Sequence, residues 1–164
     1  PYFIDKKAPV TGMPGKLDIE VSFHCDSNGT DDFIMGIKVP ATSLCPCSKE
    51  ISKYGAHNQR GEVTVEVRTR HDENGMPITI PTGDLIFAAE ESASCRVYPV
   101  LKRPDERWVT MEAYENPVFV EDMVRGVADR LRQDDRIVSF DVHARSFESI
   151  HGHDAFASPR WSRD

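Results

Sequence analysis

LDIEVSFHCDSNGTDDFIMGIKV, Leu17 to Val39, is the stretch from which the fold is read. Leu17, Ile19, Val21 and Phe23 alternate with polar residues, and Phe33, Met35, Ile37 and Val39 repeat the alternation. Asp26 to Asp32 between them is rich in turn-forming residues. A period of two, interrupted by such a turn, predicts an antiparallel hairpin with one face in the core. Val63, Val65 and Val67 give a third strand of the same kind, and Val138, Phe140 and Val142 a fourth. Upstream, Tyr2 to Val10 reads as strand and loop. Downstream, the Ser-, Arg- and Trp-containing tail after Asp154 reads as an irregular edge.

Between the third and fourth strands the period changes. Thr82 suits the cap of a helix running to about Ser94, and Asn116-Pro117 suits a cap followed by proline in the first turn. Val120, Met123, Val124, Val127 and Leu131 then fall on one helical stripe. The expected architecture is α+β: a four-stranded antiparallel sheet with two helices on one face. No repeat or low-complexity segment interrupts it.

The 164 residues fit one domain with a sizeable core. Four cysteines are too few for a disulfide scaffold, and no apolar run reaches the roughly 20 residues of a membrane span. With no secretory leader, the cytoplasm is the expected compartment. A chain that opens on Pro1 reads as a fragment or processed form. The net charge of −7 argues against nucleic acid and anionic membranes as partners. A small anion is still compatible with that charge if basic residues gather locally. Lys102, Arg103 and Arg107, or Lys49, Lys53 and Arg60, could do this, although a solvated face is the commoner fate of such side chains.

TSLCPCSKEISKYGAHNQR, Thr42 to Arg60, sets two cysteines around a proline and places a histidine twelve residues after the first. Thiolate and imidazole bind transition metals readily, while free cysteine is also among the most buried residue types, so the bare pattern leaves both readings open. A Cys45–Cys47 disulfide would close a very small, strained ring. Three protein ligands with a fourth position for water would make a catalytic zinc site, whereas Cys47 among the ligands with no open position would make a structural one. Asp105 and Glu106 in Lys102 to Arg107, expected as a proline-fixed loop, are candidate third ligands or simply an exposed turn.

Glu121 falls in the first turns of the second helix, where a carboxylate either balances the helix dipole together with Asp122 or offers two acceptors to a pair of N–H donors. His151 and His153 follow the fourth strand. Spaced by one residue along a strand they would point to opposite faces, so one at most is expected at a given site, as a proton shuttle. His24, His71 and His143 read as structural or exposed.

Taken in order, Thr42 to Ser52, Tyr54 to Arg60, Leu101 to Glu106, Asn116-Pro117 with Phe119 to Arg125, and Phe147 to His151 resemble the type IB GTP cyclohydrolases, from Ala8-Pro-Val-Thr-Gly12 onward. The resemblance implies a tunnelling fold, in which subunits join their sheets into a barrel with sites at interfaces, and a homo-oligomer, a tetramer by family pattern. It implies one divalent transition metal per site, zinc, iron or manganese, held by Cys45, His57 and Glu106, with Cys47 beside the ligands. Glu121 would anchor guanine and His151 would move protons. Lys49, Arg60, Lys102 and Arg103 are candidates for the triphosphate. The implied reaction converts GTP and water to dihydroneopterin triphosphate and formate in pterin and folate synthesis. A non-catalytic tunnelling-fold protein that binds a purine or pterin is the alternative. Members resemble a tandem pair of modules, and this chain matches the second module with the linker before it.

Overall fold

The computed structural model describes residues 2–26 and 33–163. Among these are eight strands and four helices, in the order β1 (Tyr2–Lys7), β2 (Pro14–Cys25), β3 (Phe33–Leu44), α1 (Pro46–Ile51), β4 (Asn58–Thr69), α2 (Thr82–Glu90), β5 (Cys95–Arg96), α3 (Arg103–Glu115), α4 (Val120–Arg132), β6 (Ile137–Ser146), β7 (Ala155–Ala157) and β8 (Arg160–Ser162). The expected α+β class holds. So does the hairpin: β2 and β3 pair antiparallel from Glu20↔Lys38 to Cys25↔Phe33, while residues 27–32 of its expected turn lie outside the described residues.

The main sheet runs β1-β2-β3-β4-β6-β7, with β5 added to β3 and β8 to β6, every pairing antiparallel. The alternating valines of β4 fill its centre: Val63, Val65 and Val67 are at most 1% exposed. Burying each contributes about 1.5–3 kcal/mol. Over them lie α2, through Leu85, Ile86, Ala88 and Ala89, and α4, through Met123, Val124, Val127, Ala128 and Leu131. These are the two helices expected on one face.

Four strands and two helices undercount the fold, for identifiable reasons. The outer strand β1 exposes Tyr2 and Phe3, so its alternation is weak, and β5, β7 and β8 are two or three residues long. The tail is ordered because Trp161 stacks on Phe140, ring centroids 5.2 Å apart. Lys102 to Arg107 is not a loop: Pro104 stands in the first turn of α3, a helix that buries only Asp105 and Ala113 and so lacks an apolar stripe to announce it. Asn116 ends α3 instead of opening α4. Its amide nitrogen donates to the carbonyls of Ala93 (3.0 Å) and Ser94 (3.3 Å), and Phe119 caps α4. Pro81 caps α2, which stops at Glu90.

The helix without a stripe is held by one buried carboxylate. Asp105 accepts the amide N–H groups of Val10 and Thr11 (both 2.9 Å), the Thr11 hydroxyl (2.6 Å) and the amide of Lys102 (2.9 Å). Burial pushes this carboxyl up, but the bonds from Thr11, Lys102 and Val10 outweigh it and hold the group well below its ordinary 3.8. A carboxyl depressed in the folded state adds stability that is complete above the unfolded value and drains as pH falls toward the folded one. Asp105→Asn, which puts an amide among four donors, is therefore expected to lower the unfolding midpoint at neutral pH by about 5 °C or more. It is also expected to flatten the loss of stability below pH ~4, as read by thermal melts across an acid series.

Candidate functional site

The register of β3 on β4 builds the site. The ladder closes at Leu44↔Asn58, and the next step brings Cys45 against His57, with the Cys45 amide donating to the His57 carbonyl at 3.1 Å. Between them α1 and a turn at Gly55, whose φ of 123° suits glycine, reverse the chain. Cys45 caps α1: its Sγ accepts the Ser48 amide at 3.4 Å. The Ser48 hydroxyl donates to the Cys45 carbonyl (3.1 Å) and accepts the His57 amide (3.2 Å), stitching the two residues together.

Two further segments wall this corner. The Val118 amide donates to the Leu44 carbonyl (3.1 Å) and the Ser43 hydroxyl to the Val118 carbonyl (2.8 Å), which lays Phe119, Val120 and Glu121 over the end of the sheet. After β6 the chain turns through residues 147–154 and returns as β7. Gly61 permits the close approach of β4 and β6 beneath: a Cβ there would lie 2.2 Å from the Arg145 carbonyl oxygen. The cleft between these segments, about 310 Å³, takes Cys45, Cys47, His57, Glu121 and His151 into its lining, together with Glu148 and His153.

Four of the five expected site residues, Cys45, His57, Glu121 and His151, thus meet. The fifth, Glu106, stands exposed in the first turn of α3 and does not line the cavity, and among the described residues no three of His, Cys, Asp and Glu form a metal-holding cluster. His151 and His153 share the cavity, their rings 5.5 Å apart, because 147–154 is a turn and the strand rule of opposite faces does not apply. His57 and His151 meet edge to face at 6.4 Å. None of Lys49, Arg60, Lys102 and Arg103 lines the cavity, and the Lys49 ammonium is engaged with the carbonyl and ring of Tyr114. A larger concavity of about 730 Å³ takes in Arg60 and Lys38 but holds no thiol or imidazole.

Gln59 and Glu148 are cavity residues that the sequence reading passed over. Gln59 shares the phase of Gly61, Val63 and Val65, so its side chain had to be a buried amide in need of partners. Its carbonyl oxygen lies 2.7 Å from His57 Nδ1 and accepts from the Ser149 hydroxyl (3.3 Å), while its nitrogen donates to Glu148 (3.4 Å). A carboxylate can only accept, which orients the amide and makes Nδ1 the protonated nitrogen of His57. The Nε2 lone pair is then available to a cation, as a histidine ligand requires. With the Cys45 sulfur this makes a pair of sulfur and imidazole donors, a combination suited to a borderline-soft divalent metal. Of the other cysteines, Cys25 is exposed and absent from this cavity, and Cys95 is buried, which pushes its thiol up to about 11.

Residues 1–157 match the family described as type I GTP cyclohydrolase folE2. Among curated relatives, GTP cyclohydrolase FolE2 of Paraburkholderia phymatum is 53% identical over 158 residues, covering 96% of this chain and 56% of its own length. The protein of that name from Paraburkholderia xenovorans is 51% identical with the same coverage, and that from Burkholderia pseudomallei 52%, with 57% of its length covered. The chain spans a little over half the length of these relatives. A match over nearly the whole chain, with a thiol, imidazoles and carboxylates meeting in one cavity, establishes that the chain belongs to the type I GTP cyclohydrolase folE2 family.

Proposed function

We propose that this chain supplies the catalytic half of a metal-dependent GTP cyclohydrolase that converts GTP and water to 7,8-dihydroneopterin triphosphate and formate, at the head of folate and pterin synthesis in the cytoplasm. The observation that carries the reading is the meeting of Cys45, His57, Glu121 and His151 in one cavity of a chain of this family. Cys45 and His57 hold one divalent cation, zinc, iron or manganese. When bound, the cation supplies the Lewis acidity that hydrolytic opening of the purine five-membered ring requires. Glu121, in the first turn of α4, would accept the two parallel N–H groups of the guanine edge and so orient the base in the cavity. His151 donates and accepts protons on the ring nitrogen and ribose oxygens.

Glu106 is the proposed third ligand. Since it stands apart from Cys45 and His57 within one chain, a second copy supplies it or completes the site around it. Exposed apolar side chains on the two segments that contribute to the cavity, Ile51 and Tyr54 between Cys45 and His57 and Phe147 and Ile150 in the turn after β6, suit such a contact between copies. A homo-oligomer with sheets continued across subunits, the tetrameric tunnelling arrangement, follows from this reading and covers the sheet edges.

Three substitutions in the full-length protein separate the roles. Cys45→Ala is expected to abolish bound metal by elemental analysis, and full occupancy in that variant would remove the metal assignment. Glu121→Gln turns one acceptor into a donor facing a donor, so affinity for a slowly reacting GTP analogue is expected to fall about 30-fold or more by calorimetry. His151→Ala is expected to keep most of that affinity while formate release slows about 100-fold or more. Normal analogue binding by the first of these two, or wild-type turnover by the second, would refute the role given to that residue.

A further inference from the structure

Among the described residues, Gln59 is the one buried amide that hydrogen-bonds both a proposed cation-holding residue and the turn opposite it. It is 8% exposed, its carbonyl oxygen takes the His57 Nδ1 proton at 2.7 Å, and its nitrogen reaches Glu148 at 3.4 Å. Ser149 Oγ, from the same turn as Glu148, donates to that carbonyl oxygen at 3.3 Å and lies 3.4 Å from His57 Nδ1. The side chain therefore spans from β4 to the 147–154 turn. That turn also carries His151, and Arg145 fixes its far end through Asp154, with Nε at 2.9 Å and Nη2 at 2.6 Å from the same oxygen.

We infer that Gln59 is a positioning residue with two separable tasks, setting the His57 tautomer with its carbonyl and tethering the 147–154 turn with its amino group. The inference rests on the reading of Cys45 and His57 as metal ligands. It follows from the pattern of donors and acceptors around the amide, in which Gln59 is the nearest partner of His57 Nδ1. His57 Nδ1–H needs an acceptor if Nε2 is to keep its lone pair for a cation, and the Glu148 carboxylate needs a donor. Only a group that accepts on one side and donates on the other serves both, and a primary amide does so without carrying charge into a buried position. Without the carbonyl, the imidazole proton redistributes between the two nitrogens. Without the amino group, the turn keeps its Arg145–Asp154 anchor and the Ser149 bond to the remaining acceptor, but the bond to Glu148 is lost, and in Gln59→Glu two carboxylates face each other there, which displaces the turn and His151 with it. Glu121 sits on α4 and, among the described residues, shares no hydrogen bond with Gln59, His57 or Glu148, so guanine binding is expected to survive both losses.

The test compares Gln59→Leu, which removes both functions, with Gln59→Glu, which retains an acceptor for Nδ1–H but offers no donor to Glu148, in the full-length protein at mildly alkaline pH. Zinc affinity is measured by chelator competition, kcat and KM for GTP by formate release, and the His57 tautomer by nitrogen NMR of metal-free, histidine-labelled protein. Gln59→Glu is expected to bind zinc within about threefold of wild type while kcat falls about tenfold or more at nearly constant KM. Gln59→Leu is expected to show the same loss of kcat, a zinc affinity about 10- to 100-fold weaker, and a mixed tautomer where wild type shows Nδ1–H. Wild-type zinc affinity and an Nδ1–H tautomer in Gln59→Leu would overturn the first task, and unchanged kcat in Gln59→Glu the second. The tautomer reading needs no metal, so it decides the first task even if Cys45→Ala shows that the cation is bound elsewhere. That result alone would refute the metal reading and not the Gln59 contacts. If Gln59→Leu proves unstable, Gln59→Glu still decides the second task, and its Nδ1–H tautomer decides the first, a mixed tautomer there counting against it.

Discussion

One strand register carries the site. From Ile34↔Arg68 to Leu44↔Asn58 the β3–β4 ladder runs without a slip, and the step beyond it sets Cys45 against His57. A side-chain period of two means that sliding one strand by one residue would turn the buried valines of β4 outward and move Gln59 out of the core face. Core packing and the chemistry of the cavity are therefore fixed by the same choice. The hydrophobic gain from Val39, Val63, Val65 and Val67 guards a register that the polar corner could not hold by itself.

The remaining walls are held mostly by polar contacts. Ser43 and Leu44 dock the approach to α4, Ser48 joins Cys45 to His57, and Gln59 reaches across to the turn after β6. The division suits the place. Apolar packing is tolerant of small displacements, whereas hydrogen bonds fix direction, and the roles proposed for the imidazoles and the carboxylate depend on direction. The acidic balance of the chain says nothing of this, since the cavity draws its character from a handful of residues at the end of one sheet.

The period-two segments made β2, β3, β4 and β6 legible, and the stripe from Val120 to Leu131 made α4 legible, because in each case a buried face repeats in the sequence. Helix α3 was hidden since it buries a carboxylate and an alanine in place of a stripe. The short strands were hidden because two or three residues cannot display a period, and β7 and β8 exist only where β6 offers an edge. Asn116 misled because an Asn-Pro pair marks a boundary without saying which helix it bounds. Within the site, Cys45 and His57 stood out by residue type and spacing, and Glu121 and His151 by the family resemblance. Gln59 was legible in principle from its phase along β4. The sharing of one cavity by His151 and His153 was not, since it depends on a turn whose geometry is set by tertiary contacts. The separation of Glu106 from Cys45 and His57 is likewise a property of three-dimensional placement.

The β3–β4 hairpin also sets an order of assembly. Cys45 and His57 are close in sequence and meet once that hairpin forms, whereas Glu121 and the 147–154 turn must be recruited from far along the chain. Loop closure costs rise by about 0.6 kcal/mol for each doubling of the intervening chain, and contacts of long range form late. The thiol and imidazole are thus neighbours early in folding, while the carboxylate and the second histidine wait for α4 and β6 to dock. Under the function proposed above, affinity for a soft metal precedes affinity for substrate along the folding path, and a nascent chain passes through a stage with its thiol–imidazole corner formed before the rest of the cavity closes around it.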